Sequence, residues 1–423
     1  MTAESTARFR TPEGVTALAL AAGTAGGDPL AAASALRSAG VEPDLAAAAL
    51  TMVGLRRRAA AKFGADAAEM FFTRAGLEQA TRAVVANRRA ARLAAAGVRT
   101  LADLGCGLGS DALAAARAGI KVFAVDADPV TAEYAAANAR ALGLADLVTV
   151  ECADATAVRV EDYDAVFADP ARRKAGRGRV FDPKSYSPPW DFIAGLAERV
   201  PRTVLKLAPG IDHDLLPPGA EGEWVSVGGD LVEAAFWCGP LARAPRRASL
   251  LLTRPHAAIS EDAASAGAAS AGAASAGAAS EDAAKGGVTE LTGGGDRLAE
   301  VGGVGAYLYD PDPAVVRAHL VAEFADTVGG RLADPSIAYV YTDDPVDTPF
   351  ARRLAITDVL PFSLKRLRAL LRERGVGRLE IRKRGSALEP DQLRKDLRLS
   401  GSQAASLVLT RVAGAPAVIL CEP

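Results

Sequence analysis

The 423-residue sequence predicts an α/β chain built on a doubly wound, mostly parallel sheet. Three observations carry that expectation. From Thr100 onward, short apolar runs alternate with helical stretches. The first run ends in a glycine-rich turn, Leu101–Asp111 (LADLGCGLGSD), that opens a helix. Half of the residues are hydrophobic and 5% are aromatic, enough apolar material for a sizeable core and too much for a disordered chain. At roughly 100–200 residues per domain, the length implies two or three domains.

Residues 1–98 read as a helical region. Asp28-Pro29 and Pro43-Asp44 are helix starts, and Gly23, Gly26, Gly27 and Gly40 punctuate. The stretch Val15–Ala25 lies behind Arg8 and Arg10 like a weak export signal. However, Thr11-Pro12-Glu13-Gly14 reads as a helix start, with Thr11 as cap and Pro12 in the first turn. The segment Thr73–Ala96 predicts one long amphipathic helix with an Arg-rich, solvated face. Residues 99–256 supply the alternating pattern. The strands are TLADLG, IKVFAVD, LVTVECAD, YDAVFADP and RTVLKLAPG, with helices at Ser110–Ala118, Pro129–Leu142 and Pro188–Arg199. LVEAAFWCG and RASLLLTRP follow as two strands joined by a short link, which predicts an antiparallel edge hairpin.

Residues 257–300 contain SAGAA repeats flanked by EDAA copies, and predict an Ala/Gly-rich flexible linker or insertion. Residues 301–423 then resume a strand and helix pattern, expected to be a smaller α/β domain. Its helices are Pro313–Phe324, Ser363–Arg374 and Glu389–Leu397, and a closing hairpin turns at Gly414-Ala415-Pro416. Four scattered cysteines (Cys106, Cys152, Cys238, Cys421) and three histidines form no metal-binding or disulfide pattern, so no metal and a reducing, cytoplasmic compartment are expected. No apolar run is long enough to cross a membrane.

The glycine-rich turn carries the chemistry. Asp103 ends the first strand, and Gly105, Gly107 and Gly109 let the chain turn tightly and admit a ligand to the backbone. Asp126 ends the second strand, where a carboxylate accepts hydrogen bonds from two ribose hydroxyls. Ala153-Asp154 ends the third and Asp169-Pro170 the fourth. This set at successive strand ends resembles the class I S-adenosylmethionine-dependent methyltransferases over about residues 99–254. The resemblance implies a Rossmann-like sheet and S-adenosyl-L-methionine as cofactor. It further implies that Asp103 and the three glycines hold the methionine part, Asp126 and Ala127 the ribose, and Ala153 and Asp154 the adenine. Phe72, Thr73 and Thr81, in MFFTRAGLEQAT, look similar to the segment through which trimethylguanosine synthases add aromatic and Thr contacts to the cofactor.

Amino-methylating nucleic-acid enzymes carry an Asp/Asn-Pro-Pro-aromatic motif after the fourth strand, whose first residue accepts a hydrogen bond from the base and whose aromatic stacks on it. Here Asp169-Pro170 is kept, but Ala171 and Arg172 replace the second proline and the aromatic. Arg172 and Arg173 remain as groups to stack on a base or bind phosphate, and Lys206 at the fifth strand end as a neutralising charge. Ser187-Pro188-Pro189-Trp190 resembles the SPPW motif of trimethylguanosine synthases, but reads here as a helix cap followed by a first turn. Cys238, flanked by Phe236 and Trp237 within a strand, reads as buried and inert.

The net charge of −2 conceals a basic segment: residues 351–399 hold 14 Lys or Arg against 6 Asp or Glu. Arg382, Lys383 and Arg384 end one strand, and Arg394 and Lys395 lie one helix later, a pattern suited to phosphate contacts. The whole arrangement resembles bacterial methyltransferases with a C-terminal THUMP-like domain, which implies RNA, tRNA or rRNA, as partner. The expected function is methylation of a base nitrogen of structured RNA, with Asp169, Pro170, Arg172 and Lys206 at the reacting centre. Two alternatives stay open: a small-molecule or protein methyltransferase, and a non-catalytic RNA-binding protein that holds the cofactor.

Overall fold

A computed structural model describes residues 3–24, 29–172, 186–251 and 287–423. It divides into two compact units, residues 1–221 with 234–243, and residues 222–233 with 244–423.

In the first unit, helix Pro12–Gly23 is capped by Thr11, whose side chain accepts from the Gly14 amide, as the helix-start reading of the segment requires. Helix Pro43–Phe63 is capped by the Glu42 carboxylate, which accepts from the Asp44 and Leu45 amides. The long helix expected over Thr73–Ala96 is instead two helices, Arg74–Gln79 and Ala83–Ala95. Its arginine face is not solvated either: Arg89 and Arg92 are buried. Arg92 donates two hydrogen bonds to the buried Glu221 carboxylate, at 2.8 and 2.7 Å, and its guanidinium lies 3.9 Å from the Trp237 ring centre. Arg89 pairs with Asp111 and covers the Phe167 ring at 4.6 Å. Periodicity places charged residues outside by default, and it has no way to register that an acid distant in sequence awaits them.

Strands Thr100–Leu104, Lys121–Asp126, Val148–Cys152, Ala165–Ala168 and Thr203–Leu207 pair in parallel, in the order fifth, fourth, first, second, third. The order reverses between the first and fourth strands, which makes their carboxyl ends the switch point where ligands bind in doubly wound sheets. Strand Asp230–Trp237 runs antiparallel beside Thr203–Leu207, Leu205 facing Phe236. The expected hairpin with the next strand does not form. In the second unit, Arg246–Leu251 runs parallel to Glu221–Val227, a strand absent from the sequence reading. Every residue of that strand is buried. Glu221 and Glu223 interrupt its apolar run, and each is satisfied inside, Glu221 by Arg92 and Glu223 by the Ser249 hydroxyl at 2.5 Å.

Of the stretch expected to be a linker, residues 257–286 lie outside the described residues, while Val288–Gly293 is a strand antiparallel to Arg246–Leu251. The second unit also holds a seven-stranded sheet that includes Tyr307–Pro311, Ala351–Pro361, Val376–Lys383, Gln403–Val412 and Ala415–Cys421. The last two form the expected hairpin, turning through Ala413 and Gly414, both at positive φ. The helix expected over Pro313–Phe324 is broken into Pro313–Arg317 and Val321–Val328, with His319 between them at φ 60°. Helices Leu364–Glu373 and Pro390–Leu397 pack through Leu367, Leu371, Leu393 and Leu397 into one apolar core.

Candidate active site

The switch point opens into a cavity of about 580 Å³, the size of a small-molecule pocket. Gly105 follows the first strand at φ +86°, and a Cβ there would sit 2.7 Å from the Asp169 carbonyl oxygen. The glycine therefore lets the fourth strand end, fastened by the Asp169 amide to the Leu104 carbonyl at 3.1 Å, lie against the turn. Gly107 donates its amide to Asp126 Oδ2 at 3.1 Å, and Asp128 donates to Oδ1 at 3.0 Å. Each Asp126 oxygen keeps a lone pair for a hydroxyl donor. Burial pushes the Asp126 carboxyl up, an effect these two amides partly oppose. At the third strand end, Asp154 Oδ1 accepts from the Thr156 amide and hydroxyl, both at 2.8 Å, which holds its carboxyl below the usual range.

Of the residues expected from sequence, the structure brings Thr73, Thr81, Gly105, Gly107, Asp126, Ala127, Ala153, Asp154, Asp169, Pro170 and Lys206 to this one cavity. Lys206 donates to Asp169 Oδ2 at 2.6 Å and to the Thr81 hydroxyl at 2.9 Å. Three other expected residues stand behind the lining. Phe72 is fully buried, its ring 5.4 Å from that of Phe63. Gly109 caps helix Ser110–Arg117 in the left-handed conformation, and a Cβ there would lie 3.6 Å from that of Ala135. Asp103 is fully buried, and both of its carboxylate oxygens have no hydrogen-bond partner among the described residues. Desolvation, then the charges of Asp111 and Asp169, push its carboxyl well above the usual range.

Arg172 belongs to a two-residue strand, Ala171–Arg172, antiparallel to Tyr186–Ser187. Arg173 lies outside the described residues. The helix-cap reading of Ser187 is corrected: helix Trp190–Arg199 starts two residues later, capped at Pro189, and Ser187 and Pro188 line the cavity instead. Trp190 packs on Tyr186, ring centres 5.7 Å apart. Cys238 is buried, and desolvation pushes its thiol up to about 11, as an inert cysteine requires.

Sequence reasoning missed Asn138. It is fully buried on helix Pro129–Ala141, accepts from the Phe71 amide at 2.6 Å, and donates to the Phe71 carbonyl at 3.2 Å and the Leu108 carbonyl at 3.0 Å. The one available signal was an amide side chain at a core-facing position of an alanine helix, where a polar group needs a partner.

In the second unit, the strand-end cations do not stand free. Arg382 and Arg384 share Asp310, at 2.6 and 2.8 Å, Lys383 pairs with Glu389 at 2.7 Å, and Arg394 with Asp391 at 3.0 Å. Lys395 is exposed and has no ion pair among the described residues. The same holds for Lys365, Arg366, Arg372, Arg378 and Arg398. Asp310 lies outside residues 351–399, so a segment count of charge overstates the field of the strand end.

A positive-φ glycine turn and acids at four successive strand ends define a ligand site at the switch point of a doubly wound sheet. Comparison with known proteins specifies it. Residues 101–172 match a methyltransferase domain, 351–423 a THUMP domain-like family, and 2–59 a domain of unknown function. An uncharacterized S-adenosylmethionine-dependent methyltransferase of Mycobacterium tuberculosis is 34% identical over 375 residues, covering 85% of this chain and 90% of the relative. A 23S rRNA uracil-C5 methyltransferase of Acidithiobacillus ferrooxidans is 36% identical over 105 residues, 23% of this chain and 24% of that one. The crystal structure of a protein of Porphyromonas gingivalis assigned as a methyltransferase, 19% identical, superposes with a TM-score of 0.63 over 96% of this chain and 98% of its own. The chain belongs to the S-adenosylmethionine-dependent methyltransferases, with a THUMP-like region at its C-terminal end. Its cofactor is S-adenosyl-L-methionine.

Proposed function

We propose that the chain methylates a base nitrogen of structured RNA. The observation that carries this reading is Asp169 at the switch point. One of its oxygens is held by Lys206, and the other has no partner among the described residues, leaving an acceptor aimed by a fixed backbone. Methyl transfer from a sulfonium is a displacement, so alignment of the nucleophile supplies most of the catalysis. In this reading the Asp169 carboxylate takes a hydrogen bond from the acceptor N–H, Lys206 keeps that carboxylate in place, and Pro170 and Arg172 border the base. The residues fit the cofactor. Asp126 offers lone pairs to the ribose hydroxyls, Ala153 and Asp154 flank the adenine, and Gly105 and Gly107 present backbone to the methionine portion. The buried Asp103 lies behind the glycine turn, where its charge favours a cationic amine without touching it, and Thr73 and Thr81 close the opposite side.

RNA is favoured over a small molecule by the outer faces of helices Leu364–Glu373 and Pro390–Leu397. Lys365, Arg366, Arg372, Lys395 and, just beyond the second helix, Arg398 are exposed there without ion pairs among the described residues. Such cations bind phosphate at the least desolvation cost. In this reading the face, and not the ion-paired Arg382–Arg384 end, is the main RNA-binding surface, with the ion-paired Arg394 beside it.

Methyl-tritium transfer to total RNA tests the proposal. Wild type should label one RNA pool, and Asp169→Ala should lose at least about 100-fold of that rate, the usual scale for a positioned catalytic group. Label entering only protein or metabolites would overturn it. For the binding face, replacing Lys365, Arg366 and Arg372 with Gln should make the salt dependence of RNA affinity shallower by about 0.7–0.9 for each phosphate those side chains neutralise. An unchanged slope would exclude them.

A further inference from the structure

The chain between Met70 and Thr81 forms one side of the cavity through Thr73, Gly76, Gln79 and Thr81, yet helix Arg74–Gln79 is only six residues long. A helix of that length is marginal by itself, so its position must be imposed. Two side chains outside the cavity impose it. At the entry, Asn138 uses both ends of its amide on Phe71 and adds a bond to the Leu108 carbonyl of the glycine turn. At the exit, the Lys62 ammonium donates to three carbonyls, those of Leu77, Glu78 and Ala80, at 2.7, 2.8 and 3.1 Å. These include orphan carbonyls of the last helical turn, and the cation also suits the negative end of the helix. Between the two clamps, Gly76 packs so closely that a Cβ would sit 2.8 Å from the Leu108 side chain.

We propose that Asn138 and Lys62 are positioning residues for the cofactor: they fix residues 70–81 against the glycine turn, so that this side of the site is built before the cofactor arrives. The proposal rests on the assignment of this cavity to the cofactor. A preformed wall spares the ligand the entropy of ordering it. Loss of either clamp should therefore appear as weaker binding beyond any loss of stability.

The test is calorimetric binding of S-adenosylhomocysteine to the full chain, at a temperature where every variant is folded. Asn138→Ala and Lys62→Met should each bind about tenfold or more weakly, whereas Leu36→Ala, a core truncation remote from the cavity in sequence and fold element, should lose melting temperature without losing affinity. Asn138→Asp, which keeps the acceptor for the Phe71 amide and loses both donations, should fall between wild type and Asn138→Ala. Amide exchange at Phe71 should quicken in the Asn138 variants. Affinities within twofold of wild type, or losses matched by the Leu36 control, would overturn the clamp. Asp126→Ala separates the two levels of argument. If it too binds like wild type, the cavity assignment fails; if it alone loses binding, only the clamp fails.

Discussion

Asp103→Asn is expected to melt several degrees above wild type at pH 7 without ligand, and to bind S-adenosylhomocysteine about 100-fold more weakly. The two effects share one cause. Asp103 is fully buried, neither of its oxygens has a partner among the described residues, and the negative charges of Asp111 and Asp169 add to the desolvation. Arg89 and Lys206 oppose this but act as the smaller influences. The carboxyl is therefore held well above its ordinary value of 3.8. For an acid shifted upward by folding, the stabilising contribution is complete below the unfolded value and is lost as pH rises through the folded one. The ligand-free protein thus loses stability to this acid as pH rises above the unfolded value, and an amide of the same shape removes that penalty. A ligand with a cationic amine, which S-adenosylhomocysteine shares with the cofactor, reverses the balance, because a buried anion is stabilised by a cation brought near it in a poorly solvated site. Melting curves between pH 4 and 8 check the argument. The gap between variant and wild type should widen with pH in the ligand-free state and close or invert with ligand bound. A variant that melts below wild type at pH 7, or binds equally well, would refute it.

The parts of this site legible in the sequence are those where one residue type has one use. Glycines at φ of +86° and +57° and acids at strand ends leave a pattern because the backbone or the ligand admits few substitutes there. The parallel, doubly wound class followed, since alternating strands and helices allow few topologies. What stayed hidden depends on partners far apart in the chain. Glu221–Val227 does not read as a buried strand because its acids find their partners far away: Glu221 pairs with Arg92, 129 residues distant, and Glu223 accepts from the Ser249 hydroxyl. The break after Gln79 was hidden by Ala80-Thr81-Arg82, residues compatible with a helix, whereas the chain must leave it there to bring Thr81 to Lys206. Charge by segment pointed to Arg382 and Arg384, and only the fold shows that Asp310 has claimed both. Asn138 gave a faint signal, but no periodicity says which carbonyls an amide will reach.

Arg92→Met should cost about 3–5 kcal/mol of stability, the range found when one partner of a buried ion pair is removed. If the first unit, residues 1–221 with 234–243, unfolds by itself, that corresponds to a melting temperature lower by roughly 6–10 °C. Arg92 and Glu221 are 6% and 0% exposed, so the methionine leaves a carboxylate that water cannot reach. Methionine also gives up the stacking on Trp237 and the bond to the Leu241 carbonyl at 2.5 Å. Arg92→Lys should recover little, since an ammonium can neither span both Glu221 oxygens in a plane nor stack on the indole. The decisive variant is Arg92→Met with Glu221→Leu. If the penalty is mainly the stranded charge, the double variant should regain more than half of the loss. Full recovery is not expected, because the Arg243 amide also donates to Glu221, at 2.7 Å, and would then lose its acceptor. A double variant as unstable as Arg92→Met alone would mean that packing on Trp237, and not charge, holds this part of the first unit together. The same pair bears on the site. Arg92 shares helix Ala83–Ala95 with Arg89, and Arg89 holds Asp111, which lines the cavity proposed for the cofactor. Cofactor affinity should therefore fall in Arg92→Met and return in step with stability in the double variant.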